Sequence, residues 1–221
     1  MSFYTSLTGL KNSQTELGVI AHNIANSETN GFKKSTVAFA DVIASSNTSD
    51  PRMAVGVGSS VESITQNFAL GPIEQTGSAL DVAINGNGFF TTQSSLTSQT
   101  YYTRNGSFTI DPAGYLTDGS ENRLQGFPVD SSGTPTSTTP ADIQIPAVNG
   151  AGAESTGVTV GTDGNIVASY ADGSTTIVAK IALATFTTPT GLKQVGSSNA
   201  TMASFCPARL NAPMSTSRKN W

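Results

Sequence analysis

The sequence predicts a mainly β fold with an amino-terminal α-helix, an antiparallel β domain plus an amphipathic helix of the coiled-coil type. Three observations carry that prediction. Apolar residues recur at heptad spacing only within the first 26 residues; the remainder is rich in Gly, Ser, Thr and β-branched residues; and Asn-Gly and Asp-Gly pairs punctuate it at strand-length intervals. Composition points the same way. The 221 residues include 22 glycines, and only 12% are charged, against roughly 25% in ordinary soluble domains.

Phe3, Leu7, Leu10, Gln14, Leu17, Ala21 and Ile24 fall at alternating steps of four and three, the seam of a coiled coil. Ser6, Lys11, Ser13, Glu16 and Asn23 lie on the opposite face. A narrow apolar stripe needs a partner, and no other segment has a comparable helical period. An unpaired seam implies assembly or truncation; the plainer reading is a helix lying on its own domain. Asn23, Asn26, Ser27 and Asn30-Gly31 bring turn chemistry that stops the helix near Asn26. A short amphipathic stretch follows through Phe32, Val37, Phe39, Val42 and Ile43, and the polar run 45–52 reads as an exposed connection. The expected domains are thus an amino-terminal helical assembly and export region, 1–50, a β-rich domain, 51–198, and an atypical tail, 199–221, read as disordered.

Within the β region, Leu80, Val82 and Ile84 alternate with Asp81 and Ala83 as a strand. Asn85-Gly86-Asn87-Gly88 then turns toward Phe89-Phe90. Asn105-Gly106, between Tyr101–Arg104 and Ser107–Ile110, is the strongest hairpin signal in the chain. Phe89, Phe90, Tyr101, Phe108, Tyr115 and Phe127 are the expected aromatic core. Residues 130–157 are rich in Ser, Thr, Pro and Gly and read as a surface excursion. A second β block runs through Val158, Val160, Ile166–Tyr170 and Ile177–Phe186, with turns at Asp163-Gly164 and Asp172-Gly173.

Little catalytic chemistry is available. One His and one Cys, His22 and Cys206, cannot make a His/Cys zinc site or an intrachain disulfide. Asp81, Asp111, Asp118, Asp163 and Asp172 could be nominated as a glycosidase pair, but most sit in turn signatures where Asp bonds its own backbone. Gly86-Asn87-Gly88 lacks the ending of a phosphate loop. No cofactor is expected. A net charge of −4 and no basic run argue against nucleic acid, and neither a membrane span nor a cleavable signal is apparent. Charge is uneven, since residues 1–198 hold eight Lys and Arg against 15 Asp and Glu, whereas 199–221 hold three bases and no acid.

Several motifs together resemble the axial proteins of the bacterial flagellum, the hook and rod proteins. They are Ser-Leu-Thr-Gly-Leu of residues 6–10, Ile-Ala-His-Asn-Ile-Ala-Asn of 20–26, Thr-Asn-Gly-Phe-Lys of 29–33, Phe-Ala-Asp of 39–41, Leu80 to Phe90, and Tyr102 to Phe108. Within them the matching positions are Asn23, Asn26, Asn30, Gly31, Phe32, Lys33, Phe39, Asp81, Gly86, Gly88, Phe89, Phe90, Arg104 and Gly106. The resemblance covers about residues 1–198. It implies a non-enzymatic subunit whose amino-terminal helix pairs with a carboxy-terminal one to line a hollow tube, the β domain forming the outer layer. The implied partners are further copies, other axial proteins of the rod and hook–filament junction, the hook cap and the flagellar type III export apparatus, which such subunits pass without a cleaved signal. The opening seven residues, Gly-Phe-Lys-Lys-Ser of 31–35 and Phe39-Ala-Asp41 look more like the hook protein; the short build is similar to the distal rod protein. After Asn199 the expected second heptad helix gives way to a tail bearing the only Cys and Trp, which suggests a frameshift or truncation and poor polymerisation. The competing reading from another class is a secreted β-rich glycan hydrolase or adhesin.

Overall fold

The computed structural model describes residues 2–44, 55–196, 198–202 and 208–211. The architecture is mainly antiparallel β with one helix, as the sequence predicts. Two compact units divide between Ala69 and Leu70, not at the polar connection near residue 50. The difference has a simple cause: the strand after that connection pairs back on the strand before it.

In the amino-terminal unit, helix α1 (Ser2–Ala25) is followed by strands β1 (Ser35–Ala44) and β2 (Val55–Gln66), which form a two-stranded antiparallel ladder. The amphipathic stretch expected after the helix is therefore β1. Bulges lie between Ala38 and Phe39 and between Val42 and Ile43, and such insertions bend and twist a ribbon. No described residue of this unit is buried. A segment of this size without a core has little hydrophobic stabilisation of its own.

The second unit is the opposite case. Its sheet is organised around β3 (Phe89–Ser94) and β7 (Asn122–Pro128), which pair with each other at Thr92–Ser94. On the far side of β3 lie β4 (Thr100–Thr103) and then β14 (Asn199–Met202), with β13 (Leu192–Gly196) beyond. β7 also pairs with the short strands β6 (Leu116–Thr117) and β8 (Ala141–Asp142) and with β11 (Thr175–Ile181). From β11 the sheet continues through β10 (Asn165–Tyr170) to β9 (Ser155–Val160); β5 (Thr109–Ile110) pairs β6, and β12 (Leu183–Phe186) joins β3 to β15 (Ala208–Asn211). Period-two patterning is plain in β10, where Ile166, Ala168 and Tyr170 are buried and their neighbours are not.

Several expectations need correction. Asn105-Gly106 closes no hairpin: β4 pairs with β3 and β14, and the main chain at Gly106 instead lies against Val82. Leu80–Ile84 is not a strand but makes a single bridge, Asp81 to Ser107. Phe89, Phe90, Phe108 and Phe127 are buried, but Tyr101 is only half-buried while its neighbour Tyr102 is buried edge-on against Phe186, and Tyr115 is only half-buried beside buried Leu116. The 130–157 excursion contributes Ile143 and Ile145 to the core. The strand read as Ile177–Phe186 is split at Ala182, whose amide donates to the Gln125 carbonyl and whose carbonyl accepts from Thr91. Part of the tail is ordered as well, since β14 and β15 fall within it; Cys206 and Trp221 lie outside the described residues.

One turn design recurs at the hairpins. The side-chain oxygens of Asp111, Asp118, Asp130 and Asn149 each accept from main-chain N–H groups two and four residues ahead, at 2.8–3.0 Å. The residue three ahead has positive φ: Gly114, Glu121, Gly133 and Gly152. The same backbone closure recurs at Gly161–Asn165 and Tyr170–Ser174 without the full side-chain clasp. These acids are thus occupied in turns, the reading favoured over catalysis.

The clasp has a measurable electrostatic signature. The Ser132 hydroxyl, aided by the Thr134 and Ser132 amides, holds the fully exposed Asp130 carboxyl down at about 2. Because the folded value lies below the unfolded one, the stabilisation is complete above the ordinary carboxylate range and is lost as pH falls through about 2. Carbon-detected NMR of the carboxyl should show that low midpoint, and Ser132→Ala should raise it.

Candidate functional site

The site predicted from sequence is the α1 seam, and its geometry follows from how the opposite face is tied down. Thr5 Oγ1 donates to the Val57 carbonyl at 3.2 Å, and Asn12 Nδ2 donates to Ser59 Oγ at 2.7 Å. Asn23 completes the attachment: its Nδ2 donates to the Ser35 carbonyl at 2.8 Å and its Oδ1 accepts from the Ser35 amide at 2.9 Å. Thr8 reaches the same ribbon, where a Cβ on Gly58 would stand 2.6 Å from Thr8 Oγ1. Residues 5, 8, 12 and 23, with half-buried Thr15 and Val19 between them, form a stripe at helical spacing that is mostly polar.

That attachment turns the apolar seam outward. Phe3 is 74% exposed, Leu10 68%, Leu17 65% and Ile24 68%. Gln14 and Ala21 are exposed too, while Leu7 is half-buried. The helix therefore does lie on its own unit, but by a face that leaves the seam uncovered among the described residues. Full burial of the four large side chains is worth about 1.5–3 kcal/mol each, more than any rim hydrogen bond in the unit.

The helix end is fixed by the expected Asn-rich segment. Asn26 donates from both its amide and its Nδ2 to the His22 carbonyl, and its Oδ1 receives the Thr29 hydroxyl at 3.3 Å. Asn30 and Gly31, φ +72°, turn the chain; Lys33 Nζ donates to the Gly31 carbonyl at 2.8 Å. Phe32 meets the His22 ring edge-on at 5.5 Å, and partly exposed Phe39 lies on β1 opposite Val61.

The remaining motif residues belong to the second unit, where they build the entry to β3. Asp81 accepts hydroxyl bonds from Thr76 and Ser107 at 2.5 and 3.1 Å. Gly86, φ +136°, and buried Gly88 lead into Phe89 and Phe90. Arg104 Nε donates to the Gly88 carbonyl at 2.9 Å while the guanidinium lies 4.8 Å from the Phe89 ring centroid. Burial lowers the pKa of Arg104, though a guanidinium stays charged in proteins. Phe90 packs edge-on against Phe108 at 5.2 Å. Gly106 is required by space: a Cβ there would overlap the Val82 carbonyl oxygen.

The sequence reading missed the polar stripe of Thr5, Thr8, Asn12 and Thr15, because small polar residues at helical spacing look like a solvated face. Gly58, which lets the helix approach, was the available signal. Also missed was the cluster in which Arg123 bridges Asp142 at 3.0 Å and stacks 3.9 Å from the Tyr115 ring centroid. Among the described residues no group of three or more His, Cys, Asp or Glu could hold a metal ion, and no helix is long and apolar enough to cross a membrane.

Taken together, a well-packed β unit and a second unit whose described residues leave an apolar helical seam exposed define a β-rich structural chain. The family model described as the flagellar hook protein FlgE/F/G D1 domain matches residues 83–168, and that of the flagella basal body rod protein matches residues 3–33. The flagellar hook protein FlgE of Salmonella typhimurium is 42% identical over 150 residues, 66% of this chain and 35% of its own length. FlgE of Escherichia coli is 41% identical over the same length. The flagellar basal-body rod protein FlgG of Bacillus subtilis is 32% identical over 206 residues, 89% of this chain and 71% of its own. The chain belongs to the flagellar hook and basal-body rod protein family. It spans about a third of the length of the hook proteins it matches.

Asn23→Ala should remove both bonds to Ser35, each worth about 0.5–1.5 kcal/mol net, and hydrogen exchange at the Ser35 amide should accelerate. Gly106→Ala should push Val82 away and cost about 1–3 kcal/mol, read as a lower Tm of the β unit.

Proposed function

We propose that the chain is a structural subunit of the bacterial flagellar hook, which self-assembles into a hollow helical tube and transmits torque as a universal joint. The observation that carries this reading is the outward seam of Phe3, Leu10, Leu17 and Ile24 on a unit with no buried residue among those described. A surface of that kind is stabilised by apolar helical surfaces of neighbouring subunits. The chain acts as a building element and not as an enzyme; Asp111, Asp118 and Asp130 are spent on turns. Its partners are further copies and the adjoining axial proteins of the rod and hook–filament junction, with the hook cap and the type III export apparatus met on the way out. Its place is the hook of the flagellum, outside the cell, reached through the export channel, and residues 1–50 hold the export address.

A rod subunit is the second reading, favoured by coverage: the alignment spans 71% of the Bacillus subtilis rod protein but 35% of the Salmonella hook protein. Identity favours the hook, 42% against 32%. Electron microscopy of basal bodies from a strain lacking the gene separates the two, because loss of the hook on complete rods supports the first and arrest before the distal rod supports the second.

Leu10→Asp, Leu17→Asp and Ile24→Asp, singly or together, should abolish sedimentable assembly and complementation of motility. Circular dichroism and Tm of the β unit should stay unchanged. Normal swimming by the triple variant would overturn the assigned role of the seam.

A further inference from the structure

We infer that Asn85 is a site of spontaneous deamidation, and the fastest of the five Asn-Gly pairs in the chain. Those pairs are Asn30-Gly31, Asn85-Gly86, Asn87-Gly88, Asn105-Gly106 and Asn149-Gly150. In each, the main-chain nitrogen of the glycine can attack Cγ of the asparagine. The new N–Cγ bond closes a succinimide, the Cγ–Nδ2 bond breaks, the glycine N–H proton is given up and Nδ2 departs as ammonia. Water then opens the ring at one carbonyl or the other, leaving aspartate or isoaspartate. Water is the sole co-reactant and no electrons are transferred.

Sequence makes the five equivalent, since glycine follows each asparagine; their surroundings do not. Cyclisation requires an asparagine amide free to swing onto its own following nitrogen and a peptide free to rotate into the ring. Asn149 is clasped at both ends: Oδ1 accepts from Ala151 and Ala153, and Nδ2 donates to Asp172 at 2.7 Å and Ser174 at 3.1 Å. Asn105 Oδ1 is held by the Ser107 amide, and the Gly106 carbonyl accepts from Val82 in a space with no room for movement. Asn30 has partners of its own, and Gly31 is tied by Lys33 in the turn after α1. Asn87 is exposed, but buried Gly88 is fixed by Arg104 at the start of β3.

Asn85 is exposed and, like Asn87, its side chain has no hydrogen-bond partner among the described residues; unlike Gly88, Gly86 has no main-chain hydrogen bond there either, so its peptide is free to rotate. Gly86 also has φ +136°, a conformation available to glycine and with no Cβ to hinder attack. Either product adds a carboxylate, and isoaspartate also inserts a main-chain methylene, between buried Ile84 and the core pair Phe89-Phe90.

The test is a time course of the full purified chain in neutral buffer. Peptide mapping by mass spectrometry and isoaspartyl methyltransferase labelling follow all five pairs. Breaking the bonds around Asn149 costs a few-fold each, so product should accumulate at Asn85 at least about tenfold faster than at Asn149. In urea the five rates should converge, because the chain neighbours are alike. Asn85→Gln should delete the leading product and leave the rest. A native rate at Asn85 no faster than at each of the other four pairs, or a rank order that survives in urea, would overturn the inference.

Discussion

The two hydrogen bonds between the Asn23 amide and the main chain of Ser35 determine which way the amino-terminal helix faces. A primary amide can donate and accept at once, so one side chain satisfies both groups of an edge residue and fixes the helix in rotation as well as position. With Asn23 locked, residues 5, 8 and 12 must fall on the ribbon, and the heptad positions must point away. Hydrophobic contact alone would have turned the helix over and buried Leu10, Leu17 and Ile24 against Val61 and Ile64, which remain exposed. The polar attachment prevents that self-satisfied packing, and the apolar surface is kept available.

The two units solve the stability problem by different means. In the β unit, Phe90, Leu116, Leu124, Ile143 and Ile166 are almost completely excluded from solvent, and hairpins are closed by side chains that accept two amides each. Little depends on charge, since one Arg–Asp pair is the only salt bridge among the described residues. Among its described residues the amino-terminal unit has neither a buried core nor a clasped turn of that kind. Its apolar helical surface is exposed among the described residues, so a partner that covered it would raise its stability by mass action.

Legibility in the sequence followed the range of the interactions. The helical period of α1, the Asp163-Gly164 and Asp172-Gly173 turns and the β10 strand between them were readable because each depends on residues a few positions apart. Burial of Tyr102 was not readable, because Tyr102 and Thr103 are both buried and a strand covered on both faces shows no alternation. Asn105-Gly106 misled for another reason: glycine there answers a long-range demand, the approach of Val82, and not a turn. Ile143 and Ile145 were discounted because the composition around them is polar, yet the anchoring of two isoleucines suffices to bring an otherwise exposed segment onto the sheet. The strand at 199–202 was unreadable as order, because the pairing that holds it comes from β4 and β13, and a sheet edge accepts any extended segment that can present its amides.

The division also explains why one chain can carry both a weakly charged surface and an open apolar seam without conflict. With 12% charged residues, repulsion between closely packed copies is small, and hydrophobic contacts act almost unopposed. A single seam of four large side chains contributes at most about 6–12 kcal/mol on full burial, and ordering a helix of 24 residues offsets much of it. Pairwise association is therefore marginal. In the proposed tube each helix would meet several neighbours, and one ordering cost would be set against several contacts. On that reading the order of the amino-terminal unit would be a property of the assembly.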